Sequence, residues 1–145
     1  ALLGASVVLT DVDAALPVVR RRVDGVAVPN VTVAALDWRG GVGGLAADVV
    51  LAADVVNDDG LSEMVFRMLQ LYLAPKGLFV MCCPKARHRY CIEHLRRMLV
   101  QAPELSVSVS DVPEWMVAGL DEALVVQHEL LLAQWKDVDA SSVGS

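Results

Sequence analysis

The sequence predicts an α/β domain built on a doubly wound, mostly parallel sheet that finishes in an antiparallel C-terminal hairpin. Three features predict it. Apolar segments of strand length alternate with segments of helical periodicity along the chain. The strand segments are valine-rich and apolar at both odd and even positions, the composition of strands buried on two faces. Two strand patterns then follow one another near the C-terminus, which suits a hairpin on the sheet's edge.

Residues 7–9, closed by Thr10-Asp11, read as a short buried strand, and 14–23 carries apolar residues at helical spacing with Arg20, Arg21 and Arg22 on the far side. Residues 31–36 form the next strand, ending in Asp37-Trp38 and a glycine-rich turn over 40–44. Residues 45–56 write Leu-Ala-Ala-Asp-Val-Val twice. A shift of six keeps each residue on one face of a strand, whereas a helix at roughly 100° per residue would turn the two aspartates about 240° apart, so 48–53 is read as a buried parallel strand. A helix over 61–73 follows, with Asp58, Asp59 and Ser62 available to cap it; Pro75-Lys76-Gly77 ends it before a strand over 78–83. Pro84 closes that strand. Helical periodicity resumes over 88–101, and 105–112 alternates apolar residues with serine. A final strand spans 123–134, after a loop over 113–122. The domain is placed at 1–136 and a flexible tail at 137–145.

At 145 residues, 55% hydrophobic and 21% charged, the chain suffices for one domain with a core and is too apolar for disorder. Its 12 Lys+Arg against 18 Asp+Glu give a net charge of −6, without the footprint of a phosphate-backbone binder, so nucleic acid is a poor partner. The apolar stretch 45–56 is interrupted by Asp48 and Asp54 and falls short of the roughly 20 residues of a spanning helix, so no membrane partner is expected. Cys82, Cys83 and Cys91 lie close together and form no spread disulfide framework, which points to a reducing compartment, the cytoplasm or the nucleus. Together with His88 and His94 they match no common zinc spacing, so no metal is expected. They are read as core cysteines and solvated helix histidines. The basic run Lys85, Arg87, His88, Arg89, Arg96 and Arg97 is read as a solvated helix face.

In such a sheet ligands bind beyond the carboxyl ends of the strands, which makes Asp11, Asp37-Trp38 and Ala53-Asp54 the residues to weigh. A carboxylate at Asp11 suits a bidentate grip on two ribose hydroxyls, and equally a helix cap shared with Asp13. Trp38 could wall an adenine ring or cover the sheet edge. Ala53 is small enough to let a flat ring approach the backbone, and Asp54 also fits a turn or cap before the next helix.

The segments Ala1-Leu-Leu-Gly-Ala-Ser-Val-Val-Leu-Thr-Asp11, Ala15-Leu-Pro17, Ala35-Leu-Asp-Trp38, Ala52-Ala-Asp-Val-Val56 and Leu73-Ala-Pro-Lys-Gly77, in this order, resemble the seven-β-strand S-adenosylmethionine-dependent protein methyltransferases. Within these the chain looks most like the lysine methyltransferases of the family-16 type, a likeness that runs over residues 1–136 and implies a Rossmann-like methyltransferase fold. The resemblance implies that S-adenosylmethionine is the cofactor. It further implies that Asp11 binds the ribose hydroxyls, Trp38 flanks the adenine, and Ala53 contacts the adenine or methionine end through its backbone. Asp54 would open the family's Asp-x-x-Tyr motif, which borders the acceptor-lysine channel.

Two departures stand out. The tyrosine position of that motif is Asn57, which removes an aromatic channel wall. The family's first strand and glycine-rich loop have no counterpart in the sequence; Gly41, Gly43 and Ala46 imitate the loop's pattern but lead into a strand. Without that first strand, unpaired backbone edges are expected at the centre of the sheet. The implied activity is methyl transfer to a protein lysine by in-line attack of the neutral amine, with Asp54 positioning the amine, provided the glycine-rich loop exists upstream. The alternative is a catalytically inactive remnant of the fold acting as a protein-interaction module, a reading that Asn57 and the missing loop favour.

Overall fold

The computed structural model describes residues 4–26, 28–40, 46–85, 90–117, 119 and 127–136. The tail at 137–145, the glycines at 41–44 and the segment 120–126 lie outside the described residues. The chain divides into two compact units, Ala1–Val42 and Gly43–Ser145, each with its own sheet.

In the first unit, strands β1 (Val7–Asp11) and β2 (Val31–Ala35) pair in parallel, from Val7 opposite Val31 to Asp11 opposite Ala35. The crossover is a 3-10 turn, Asp13–Ala15, followed by helix α1 (Leu16–Asp24). Pro17 sits in the first turn of α1, where its missing N–H leaves no bond unmade. Leu16 is buried, whereas Arg20, Arg21 and Arg22 are exposed, the amphipathic division that their spacing predicts.

The second unit runs β3 (Ala47–Ala53), α2 (Asp59–Tyr72), β4 (Leu73–Pro84), α3 (Tyr90–Gln101), β5 (Leu105–Asp111), α4 (Glu114–Val117) and β6 (His128–Trp135). Its sheet has the order β3-β4-β6-β5, with β3 and β4 parallel and β6 antiparallel to both neighbours. The expected hairpin is thus β5–β6, and β6 joins it to the parallel pair. The architecture is a Rossmann-like α/β arrangement.

Alternation along β4 places the core. Phe79, Met81 and Cys83 are buried on one face beside Leu131 and Ala133 of β6, and the apolar stripes of α2 (Val65, Leu69) and α3 (Ile92, Leu95, Leu99) are buried with them. Asp58 caps α2, its Oδ1 accepting from the Leu61 N–H at 2.8 Å. Ser62 is not the cap. Its fully buried hydroxyl donates to the Cys91 carbonyl at 2.9 Å and ties α2 to α3. At the sheet's edge β3 leaves Val49 and Leu51 exposed, at 53% and 75%.

Three expectations need correction. Pro75-Lys76-Gly77 does not end the helix: α2 stops at Tyr72, Leu73 already pairs with Ala47, and Leu78 pairs with Val49, so 74–77 loop out inside β4 opposite Asp48. Lys76 adopts φ 64, and a Cβ on Gly77 would come 2.7 Å from the Ala74 carbonyl oxygen, so glycine is required there. The loop expected over 113–122 contains the short helix α4, and the described part of the last strand begins at His128.

The third correction is electrostatic. Arg96, assigned from sequence to a solvated face, reaches from α3 to the buried Glu129 of β6 through Nη2 and Oε1, with Glu93 at 3.6 Å as a second partner. His94, likewise expected in solvent, has a buried Nε2. Of the basic run, 86–89 lie outside the described residues, and Lys85 pairs with Asp111 at 2.7 Å.

A carboxylate held in a core is tolerable only while paired. Arg96→Met should therefore destabilise the protein by about 3 kcal/mol in denaturant unfolding, and Arg96→Met combined with Glu129→Leu by clearly less, because the second change removes the stranded charge. A single-variant loss below about 0.5 kcal/mol would contradict the role given to the pair.

Candidate functional site

In the first unit Asp11 is the last residue of β1, and its carbonyl accepts from the Leu36 N–H at 2.9 Å, so the ends of β1 and β2 lie level. The side chain is exposed, and Oδ1 accepts from the Val12 N–H at 2.8 Å. Neither the 3-10 turn nor α1 has a side-chain cap, so Asp11 and Asp13 are not helix caps. A carboxylate with one short backbone bond keeps acceptor capacity for two hydroxyl donors. Trp38 lies half-buried in the turn after β2, at the same end of the strand pair. Asp37 builds that turn, its Oδ1 accepting from the Arg39 N–H at 2.9 Å and its carbonyl from the Gly40 N–H at 3.0 Å.

In the second unit Ala53 ends β3, exposed, opposite Cys82 of β4. The six-residue period gives the parallel strand it predicts as far as Ala53, but not a buried one: no residue of β3 is buried, because the strand lies at the sheet's edge with Val49 and Leu51 exposed. Asp54 then turns the chain with φ 51, a left-handed conformation that aspartate tolerates better than most residues, and its N–H donates to the Cys82 carbonyl at 3.0 Å. The helix cap belongs to Asp58, so Asp54 is held at the strand end by the backbone turn. Val56 returns to the core, fully buried. Asn57 lies exposed between Val56 and the cap.

Cys82 is the residue that sequence reasoning misplaced. Cys83 and Cys91 are buried as expected, but Cys82 points to the other face of β4 and is half-exposed. The signal was its parity, opposite to Phe79, Met81 and Cys83. Partial burial raises its thiol pKa above the ordinary 9.0, and the Asp54 carboxylate raises it further. Burial, with Glu129 next in importance, pushes the Cys83 thiol up to about 12. Among the described residues no three His, Cys, Asp or Glu side chains come together as a metal site.

Asp11 and Trp38 thus share one end of the β1–β2 pair in the first unit, and Ala53-Asp54 form the turn at the carboxyl end of β3 in the second. A sequence profile of lysine methyltransferases matches residues 1–102, and the chain belongs to that family. No curated protein matches it. Solved structures share the fold. The PH0226 protein of Pyrococcus horikoshii superposes with a TM-score of 0.66 at 14% identity, over 92% of this chain and 73% of that one. The methyltransferase PaMTH1 of Podospora anserina, solved with S-adenosylhomocysteine bound, gives 0.59 at 16% identity over 92% of this chain and 62% of that one. An O-methyltransferase family protein of Burkholderia thailandensis gives 0.62 at 16% identity over 89% of this chain and 43% of that one. The family and the fold make this a methyltransferase-type chain whose cofactor is S-adenosylmethionine. The exposed acceptors of Asp11 and the half-exposed indole of Trp38 suit its ribose and adenine. The described residues of neither unit contain a glycine-rich loop for its methionine end.

The thiols give a pH test. The raised pKa of Cys83 stabilises the fold fully below the unfolded value near 9.0, and this part is lost as pH rises toward about 12, because only the unfolded thiol releases its proton there. Denaturant unfolding at several pH values should show the stability gap between wild type and Cys83→Ala narrowing above pH 9. A gap constant across that range would contradict the assignment.

Proposed function

We propose that this chain carries S-adenosylmethionine-dependent methyl transfer to a lysine side chain of a protein substrate. The observation that carries the proposal is the lysine methyltransferase match over residues 1–102, which spans all three strand ends that bear the candidate residues. In this reading Asp11 accepts hydrogen bonds from the ribose hydroxyls, Trp38 flanks the adenine, and Ala53 offers backbone at the end of β3.

When bound, S-adenosylmethionine supplies an electrophilic methyl group to an amine held in line with it. What the chain must supply is a neutral, oriented lysine. Desolvation of the acceptor lowers its pKa, and the Asp54 carboxylate accepts a hydrogen bond from the amine and directs its lone pair. The charge of Asp54 alone would favour the ammonium form, so its role is to position the amine and not to act as general base. The net charge of −6 favours encounter with a basic, lysine-bearing segment. Free cysteines support a reducing compartment, the cytoplasm or nucleus. No helix among the described residues is long and apolar enough to cross a membrane.

One residue favours a second reading, a non-catalytic interaction module: Asn57 stands where the family motif has tyrosine. Calorimetry with S-adenosylhomocysteine separates the two. Binding is expected, weakened about tenfold or more by Asp11→Ala, which removes charge-assisted hydrogen bonds. Asp54→Ala should keep cofactor affinity within about threefold while abolishing methyl transfer, the pattern of a residue engaged with the acceptor. Unchanged turnover in Asp54→Ala would remove the positioning role, and absence of binding would leave only the interaction module.

A further inference from the structure

We propose that Cys82 is part of the cofactor-contacting surface at the end of the β3–β4 pair, its thiol lying against the bound cofactor next to Ala53. The inference rests on the proposed reading, in which Ala53 meets the cofactor, and adds a residue to that site.

Three observations carry it. Ala53 and Cys82 are register partners in adjacent parallel strands, so their side chains emerge on the same face about 5 Å apart. That face is the one turned away from the core: Phe79, Met81 and Cys83 alternate to the buried side, while Cys82 stays half-exposed beside the exposed Ala53. The Cys82 carbonyl also holds the Asp54 N–H, so one residue supports both the cofactor-side alanine and the substrate-side aspartate. A cofactor that meets Ala53 at the end of β3 would cover this thiol as well. Its raised pKa keeps the thiol neutral near Asp54, so the small side chain adds no second charge at the place where a lysine must lose its proton.

The chain carries its own reporter, because Cys83 and Cys91 are buried and only Cys82 is accessible among its three cysteines. The test measures alkylation of the folded wild-type protein by N-ethylmaleimide at pH 8, with and without saturating S-adenosylhomocysteine, with Cys82→Ala assigning the labelled site by mass spectrometry. Calorimetry runs in parallel. Cofactor saturation should slow labelling of Cys82 about fivefold or more, since a thiol under a bound ligand reacts only through the unliganded fraction. Cys82→Trp, with a native circular dichroism spectrum, should bind the ligand at least about tenfold more weakly, through overlap with the space the ligand fills. Calorimetric binding with an unchanged labelling rate overturns this inference and leaves the proposed function standing. No calorimetric binding overturns both.

Discussion

The structure of the second unit depends on burying one face of β4. Phe79, Met81 and Cys83 are almost completely enclosed with the apolar stripes of α2 and α3, and a slip of one residue would put Leu78, Val80 and Cys82 there instead. That penalty fixes the register of β4 against both neighbours. On the β3 side it places Ala53 opposite Cys82, which brings the Cys82 carbonyl to the Asp54 N–H and holds the left-handed turn. Packing in the core thereby sets the position of a carboxylate at the surface. On the other side the same register carries Glu129 to the edge of the core, where Arg96 meets it.

The two faces of this sheet serve different purposes. The face under α2 and α3 supplies stability, and the polar contacts within it are those a core demands: Ser62 to the Cys91 carbonyl, Arg96 to Glu129. The opposite side of β3 and β4 is also apolar in composition yet leaves Val49 and Leu51 exposed at its edge. The candidate residues of this unit lie where that side meets the strand ends. The small side chain of Ala53 and the half-exposed Cys82 thiol border an aspartate there.

Much of this was legible in the sequence because strand and helix periods differ. The six-residue repeat predicts the bounds of β3 to within a residue, and the strand-end rule selects Asp11, Trp38, Ala53 and Asp54, which lie at or just beyond the ends of β1, β2 and β3. What was not legible depended on tertiary context. Pro75-Lys76-Gly77 has the chemistry of a helix stop, and only the pairing of Leu73 with Ala47 shows that the strand has already begun. Arg96 looks like one member of a basic run until β6 brings Glu129 beneath it. Cys82 and Cys83 are indistinguishable by type, and their different fates follow from parity once the buried face is known.

The central claim is that this chain serves transfer of a methyl group to a protein lysine. The most direct measurement incubates the protein with methyl-labelled S-adenosylmethionine and an extract of its source organism's proteins, then maps the labelled residues by mass spectrometry. The account predicts label on the side-chain nitrogen of lysine in one or a few proteins, absent with Asp54→Ala. Cofactor binding with no label transferred, or label confined to small molecules, nucleic acid or other side chains, would contradict it.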